Sequence, residues 1–319
     1  MNTKQPNTAS PAAEDAPDLA NKASENDTAA VDATPVAPVG GFRAFIASMP
    51  LSIWIFVGIL FSFVLMALFS PLIAPQDPFT QSLMARMKSP GSTIRGATYL
   101  LGSDELGRDI LSRIIYGSRA SMSVAALAVF ISGAVGTALG LVAAYYRGMV
   151  DAVIMRLVDV VLSIPALLFA IIVVAVLGPS FFNVILVLGL TRWPRYARIV
   201  YGQSLGLMNQ PYIRYARFVK VKTPRILWRH LLPNVFGQLV VVATLEFGAM
   251  VLFEAGLSFL GLGVQPPTPS WGAMMSIGSK YIDSAWWIAA FPGCCLFLLV
   301  LSINITGDFL RDKLDPKMR

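Results

Sequence analysis

Stretches of about 20 apolar residues recur along this chain, and they constrain its fold more than any other feature. Five of them are long enough to cross the hydrocarbon core of a bilayer as α-helices, and they run over residues 51–70, 122–146, 153–177, 235–260 and 286–305. A sixth begins near Phe181 and stays purely apolar only as far as Leu190. Because an isolated chain segment can cross a bilayer only as a helix, we predict an all-α polytopic membrane protein with six transmembrane helices.

The composition supports the same class. Of the 319 residues, 55% are hydrophobic and only 13% are charged, which lies outside the range of soluble globular proteins. The net charge is +7. In a membrane protein such an excess of cations usually lies in the cytoplasmic loops, so we expect no nucleic-acid binding. The adjacent Cys294 and Cys295 are predicted to be packing residues, with no disulfide and no metal site.

Several residues inside the apolar stretches have a predicted structural role. Pro165 should kink the third span, and the fourth should tilt to carry its basic end out of the membrane. The small pair Gly136 and Gly140 predicts a close helix contact. Glu246 and Glu254 lie inside the fifth span, where a carboxyl group is either functional or a buried, hydrogen-bonded group at a subunit interface; we favour the second interpretation for each. Arg156 and Asp159 should pair locally at i,i+3.

The stretch 212–234 separates two spans and carries six Lys or Arg residues and the only histidine. So many cations cannot lie in hydrocarbon, so the stretch belongs beside the bilayer. Thr223 can cap a helix, Pro224 suits its first turn and Pro233 should end it. The result is a short amphipathic helix. It either docks on a partner or only fixes the topology of the chain.

The distribution of cations predicts the orientation. Most Lys and Arg residues lie on the side of the termini and of the 212–234 stretch, which the positive-inside rule places in the cytoplasm.

Residues 1–41 have the composition of a disordered cytoplasmic tail and lack the layout of a signal peptide. Residues 42–118 hold the first span and a periplasmic segment in which Asp109 is positioned to cap an amphipathic helix at the membrane surface, formed with Ile110, Ile114 and Ile115. The run 256–275 should leave the helical path because of its glycines and prolines.

The 212–234 stretch also resembles the coupling loop of binding-protein-dependent ABC importers of the dipeptide/oligopeptide/nickel permease family. The positions that match its pattern are Tyr212, Ala216, Arg217, Arg229, His230, Pro233 and Asn234. Two positions depart from it: Arg214 replaces the usual Glu, and Lys220 replaces a Gly that allows a positive φ. Further runs at 101–125, 256–275, 284–293 and 307–316 resemble the C-type subunits of the same family.

This resemblance implies a type I ABC importer transmembrane domain over residues 119–308, with a coupling loop at 211–234 and a cytoplasmic tail at 309–319. It implies three kinds of partner: a homologous second permease in a heterodimer, two cytoplasmic ATP-binding subunits and a periplasmic substrate-binding protein. The residues that would contact the ATPase are Tyr212, Ala216, Arg217, Arg225, Ile226, Leu227, Arg229, His230, Leu231, Pro233 and Asn234. The apolar side of the second coupling helix would enter a groove on that ATPase.

The function implied is import of di- or oligopeptides across the bacterial inner membrane. Nickel complexes and glutathione are alternatives within the family, and the lack of a His/Cys/Met ligand set favours peptides. The chain has no GxxxxGK(S/T) phosphate loop and no HExxH motif, so we expect neither a cofactor nor enzymatic activity, and ATP hydrolysis should reside in the partners. Two alternatives come from other functional classes: a membrane-embedded enzyme, and a non-transporting scaffold that docks a cytoplasmic partner.

Overall fold

The computed structural model describes residues 49–314, so the predicted disordered tail 1–41 lies outside the described residues. In this part of the chain the α-helices are α1 (Leu51–Leu68), α2 (Ser70–Ile73), α3 (Ile110–Tyr146), α4 (Gly148–Ser163), α5 (Ala166–Leu177), α6 (Phe181–Met208), α7 (Pro211–Phe218), α8 (Thr223–Ile226), α9 (Leu232–Phe259), α10 (Trp271–Ser279) and α11 (Trp287–Leu314). A 3₁₀ turn lies at Leu83–Ala85 and a π-helical turn at Leu227–Leu231. Strands β1 (Ser92–Ile94) and β2 (Ala97–Tyr99) form an antiparallel hairpin.

Four helical stretches of the described residues are long and apolar enough to cross a membrane: α1, α3, the continuous run from α8 through α9, and α11. Helices α4 and α5 form a fifth span if they cross as a pair, but they meet at 89°. Pro165 separates them, so it breaks the predicted third span rather than only kinking it. The remaining predicted span corresponds to α6, in which Arg192, Arg195 and Arg198 interrupt the apolar run.

Helices α3 and α6 pack closely at the predicted glycine pair. A Cβ atom on Gly136 would lie 2.3 Å from the carbonyl oxygen of Trp193, and one on Gly140 would lie 2.6 Å from that of Ala197. Only glycine allows the two backbones to approach this far. The predicted close helix contact is therefore confirmed, and α6 supplies its second half.

The start of α3 is capped as predicted. Asp109 is the N-cap, and its carboxylate accepts hydrogen bonds from the amide and the hydroxyl of Ser112 at 2.8 and 2.7 Å. However, α3 continues without a break to Tyr146, and Ile110 and Ile114 are buried against Trp287. The predicted helix is therefore present as the first turns of α3, and its apolar face is covered by a neighbouring helix.

The run 256–275 leaves the helical path only between α9 and α10, and the short helix α10 was not predicted. Ser270 caps α10, since its hydroxyl accepts from the amide of Ala273. Trp271 is fully buried, and its indole nitrogen donates to the carbonyl of Ile114 at 3.0 Å. The connection is thus attached to the start of α3.

Two smaller expectations concern the last helix. Cys294 and Cys295 are free thiols; Cys295 packs against the core as predicted, whereas Cys294 is exposed on the surface of this apolar helix. Helix α11 extends to Leu314, so the predicted tail 309–319 begins as helix.

Candidate coupling site

The predicted coupling loop folds as two helical segments joined by a tight turn. Helix α7 ends in a Schellman motif: the amide of Lys220 donates to the carbonyl of Arg217, and the amide of Val221 donates to that of Ala216, both at 3.0 Å. Lys220 has φ of +57°, the left-handed conformation that this motif requires and that glycine adopts most easily. The turn therefore forms although lysine replaces the family's glycine.

The apolar side of this segment is covered by the chain's own membrane helices. Ile213, Ile226 and Leu231 are completely buried, in a cluster with Leu141 of α3 and Val200 of α6. The prediction that Ile226 and Leu231 enter a groove on an ATPase is therefore wrong. An amphipathic helix that lies directly beside its own spans buries its apolar face against them first.

Leu227 and Ala216 belong to the same inward side. Leu227 is half-buried against the cluster, and Ala216 is 8% exposed. Both were predicted as contacts to the ATPase, and their side chains instead pack within this chain. A small side chain at position 216 allows α7 to lie close to its neighbours.

Polar and aromatic contacts attach the segment to the end of α3. The guanidinium of Arg217 lies 5.1 Å from the ring centroid of Tyr145, and the hydroxyl of Thr223 donates to the Tyr145 hydroxyl at 3.2 Å. The rings of Tyr212 and His230 lie 6.4 Å apart.

Helix α8 begins at Thr223, and its N-cap residue is Lys222. The prediction that Thr223 caps this helix is therefore wrong.

Pro233 was predicted to end the second helix, and it does not. The π-helical turn Leu227–Leu231 leads into α9, with the amide of Leu232 donating to the carbonyl of Leu227. Pro233 then falls in the first turn of α9, where a missing amide hydrogen costs little. The side-chain amide of Asn234 donates to the carbonyl of His230 at 2.6 Å. The segment therefore continues directly into the fifth span.

The surface that remains accessible on this segment is aromatic and cationic. Phe218 is 84% exposed and Tyr215 is 67% exposed, on the side of α7 opposite Ile213. The other exposed members are Tyr212, Arg214, Arg217, Val219, Lys220, Lys222, Pro224, Arg225, Trp228, Arg229, Pro233 and Asn234. Six of these exposed residues are among the predicted ATPase contacts: Tyr212, Arg217, Arg225, Arg229, Pro233 and Asn234. Tyr215 and Phe218 were missed. Their i,i+3 spacing on the polar side of α7 was the available signal.

Comparison with known proteins decides the family. Residues 136–319 match the model of the binding-protein-dependent transport system inner membrane component. The chain belongs to this family. The di/tripeptide transport system permease protein DppC of Pseudomonas aeruginosa is 41% identical, over 82% of this chain and 88% of that protein. The resemblance read from the motifs is thus confirmed, and the chain is a multi-pass membrane protein.

Other relatives carry different names. The glutathione transport system permease protein GsiD of Escherichia coli O6:K15:H31 is 41% identical, over 80% of this chain and 83% of that protein. A chain in a structure of the MetNI methionine ABC transporter superposes with a TM-score of 0.51 at 19% identity, and covers 64% of this chain and 97% of that one. The chain therefore has the fold of an ABC importer permease.

In this permease the intramembrane Glu246 is part of an ion-pair group. Its carboxylate accepts from Nε of Arg192 at 2.8 Å and from Nη1 of Arg195 at 2.6 Å. The carboxyl group is buried and hydrogen-bonded as predicted, but its partners come from α6 of the same chain rather than from another subunit. This group joins α6 to α9.

A second ion pair corrects another prediction. Asp159 of α4 pairs with Arg198 of α6, and not with Arg156 one turn earlier. Asp151 of the same helix accepts from the hydroxyl of Tyr201 at 2.7 Å. The polar side of α4 thus faces α6, so its charges find partners across the helix contact instead of along the helix.

Proposed function

We propose that this chain is a membrane-spanning permease subunit of an ATP-driven importer that carries di- or oligopeptides across the bacterial inner membrane. Family membership supports the permease role, and the names of the most similar relatives support the peptide substrate. A second candidate substrate is glutathione, which is favoured by the relatives named as glutathione permeases.

The proposed topology has six spans: α1, α3, the α4–α5 pair, α6, α9 and α11. An even number of spans places both termini on the side of the coupling segment, and the cations of that segment favour the cytoplasm. The transmembrane domain would then cover residues 119–308, with residues 42–118 supplying the first span and the periplasmic segment. Helix α6 would cross the membrane with Arg192 enclosed by protein, since Glu246 and the ring of Phe253 contact it. The more exposed Arg195 and Arg198 would lie in the basic end that leaves the membrane.

The proposed docking surface for a cytoplasmic ATPase is the outward side of α7 together with the cations beside it. The observation that supports it is the exposure of Phe218 and Tyr215, whose neighbours in sequence on α7 are the exposed Arg214 and Arg217, on a segment whose other side is already filled. Exposed aromatic and Arg residues are the types that most often provide binding energy at protein interfaces. The partners would be two ATP-binding subunits, a homologous permease and a periplasmic binding protein.

The attachment of α7 provides a route for coupling. Ile213 packs against residues of α3 and α6, and the segment continues without interruption into α9. A displacement of α7 by an ATPase would therefore be passed to three membrane helices at once, because packed interiors deform little. In such importers this displacement would alternate the accessible side of the membrane.

The test compares four variants of the full complex. Phe218→Asp and Tyr215→Asp place a charge on the proposed docking surface, and both should release the ATPase subunits during co-purification while the level of the permease in the membrane is unchanged. Leu83→Asp is the matched control, since Leu83 is 83% exposed but lies in the separate segment before α3. It should retain the ATPases.

Leu231→Asp is the fourth variant and separates docking from folding. Leu231 is buried within this chain, so a charge there should lower the amount of folded permease rather than release partners from an intact one. Full recovery of the ATPases with both α7 variants at a normal permease level would show that the segment only fixes topology. Retained ATPases without peptide uptake in the wild type would favour the scaffold interpretation.

A further inference from the structure

Two glutamates lie on α9 in opposite surroundings. Glu246 is held by two arginines, whereas no ion pair of residues 49–314 includes Glu254, eight residues further along the helix. Glu254 is completely buried, and the hydroxyl of Ser258 donates to its Oε1 at 2.6 Å. Ser121 of α3 and Ser270 at the cap of α10 lie beside the same carboxyl group.

One oxygen of this carboxyl group has no hydrogen bond. Oε2 of Glu254 and Oγ of Ser121 are both buried and both lack a partner among the described residues. A buried carboxylate without a cation is far more costly than a neutral carboxylic acid. A protonated Oε2 can donate to a serine oxygen, which would satisfy both atoms at once. The surroundings of Glu254 therefore favour the neutral form.

The same carboxyl group lies where three helices and a loop meet. Oγ of Ser258, which donates to Glu254, also accepts from the amide of Val264 in the connection between α9 and α10. A Cβ atom on Gly263 would lie 1.8 Å from Oγ of Ser258, and one on Gly272 would lie 2.2 Å from the carbonyl oxygen of Ala255. The connection and α10 are thus held directly against α9 around Glu254.

Charged groups on the surrounding helices have other partners or face away. On α3, Arg113 pairs with Asp104 and Arg119 is exposed. Lys280, which follows α10, is also exposed, and α1 contains no charged residue. On α6, Arg192 lies over the ring of Phe253, the neighbour of Glu254 in sequence, but it pairs with Glu246. A further titratable group in the adjoining core is the half-buried thiol of Cys295 on α11. An ionised Glu254 would therefore find no compensating charge without entry of water.

We propose that Glu254 is a proton-holding residue whose neutral carboxyl group locks the α9–α10 connection onto α3 and α9, and that loss of the proton releases this lock. Ionisation would require hydration of the buried carboxylate, and movement of the connection away from α9 would admit water. The site lies at the end of α9 opposite the coupling segment, and the proposal does not depend on docking of an ATPase.

Infrared spectroscopy of the full-length permease in a detergent without ester groups tests the protonation state of Glu254. At neutral pH the spectrum should contain the carbonyl stretch of a buried, protonated carboxylic acid, and Glu254→Gln should abolish it. Glu246→Gln is the matched control on the same helix, and it should leave the band unchanged because Glu246 is an ion-paired carboxylate. A band that survives in Glu254→Gln, or none in the wild type, would overturn the proposal.

Hydrogen exchange tests the lock. After correction for intrinsic rates, exchange of the peptide that contains Val264 should rise with pH in the wild type. The rise should reach about tenfold per pH unit where the open form is ionised and the closed form is still protonated, since opening then releases one proton. In Glu254→Gln it should not depend on pH. Equal pH dependence in both proteins would overturn the proposal.

If Glu254→Gln fails to fold, Ser121→Ala provides a second test, since it keeps the carboxyl group. It should shift the infrared band, and an unshifted band would overturn the proposed hydrogen bond from Glu254 to Ser121.

Discussion

Removal of the Glu246 carboxylate should destabilise the permease strongly, and the structure supplies the magnitude. Glu246 is 2% exposed and the side chain of Arg192 is 13% exposed, so Glu246→Ala leaves a buried guanidinium without its carboxylate. Breaking a buried pair in this way costs about 3–5 kcal/mol. The contact of Arg192 with the ring of Phe253 at 5.0 Å is present in both proteins, so it does not reduce this loss. The expected loss of stability is therefore about 3–5 kcal/mol.

The partners of Glu246 should not be equivalent. The side chain of Arg195 is 55% exposed, so it can turn to solvent when its partner is lost, and Arg195→Ala should cost no more than about 1 kcal/mol. Arg192→Ala should approach the cost of Glu246→Ala. The double variant Arg192→Met/Glu246→Met removes both buried charges and should recover most of the loss, since an apolar pair often replaces a buried ion pair without penalty.

Thermal unfolding of the purified full-length permease in detergent measures these differences. A loss of about 3–5 kcal/mol corresponds to a fall in the midpoint of about 4–8 °C for a chain of 319 residues, at about 2.1 cal/mol/K of unfolding entropy per residue. Asp159→Ala is the control, because Asp159 and Arg198 form an ion pair in which both side chains are about half exposed, and it should change stability by less than about 1 kcal/mol. Equal midpoints for Glu246→Ala and Asp159→Ala would refute the reasoning from burial.

Two further variants test backbone geometry by the same unfolding measurement. In the wild type, the left-handed conformation of Lys220 costs about 1–2 kcal/mol, and Lys220→Gly removes this strain. The glycine also gives the unfolded chain more freedom, which lowers stability by about 0.4–1 kcal/mol, so the variant should be slightly more stable and should retain the ATPases in co-purification. A clear loss of stability would contradict the assigned turn. Gly136→Ala places a Cβ 2.3 Å from a carbonyl oxygen of α6 and should cost about 1–3 kcal/mol, whereas Gly133→Ala meets its nearest atom at 3.5 Å and should be nearly neutral; equal effects would contradict the close contact.

Local signals in the sequence predicted local structure well. Asp109 caps α3 because a carboxylate just before an apolar helix can accept from its first free amides, and this depends on neighbours in sequence alone. The glycine pair at 136 and 140 predicted a close contact for a similar reason, since removal of two side chains on one face leaves room for a backbone. In each case the residue type itself restricts the geometry.

Partners between distant elements were predicted less well. Asp159 is near Arg156 along the helix and also near Arg198 across the helix contact, and the sequence contains no measure of the second distance. The same holds for Glu246, whose arginine partners lie more than 50 residues away. The prediction for Pro233 was wrong for a different reason. A proline occurs both in the first turn of a helix and just after a helix end, and the sequence does not show the π-helical turn that leads into α9 before Pro233.

The coupling segment shows why an amphipathic pattern locates a helix better than it locates its docking face. Ile213 and Leu231 give the segment its apolar face, and that face is filled by the permease itself. A helix that must attach to its own protein and also bind a partner needs apolar groups on two sides. Helix α7 has them, since Ile213 points inward while Tyr215 and Phe218 point outward among cations. Aromatic residues at i,i+3 spacing on the polar side of such a helix are therefore the sequence feature that supports the proposed docking surface.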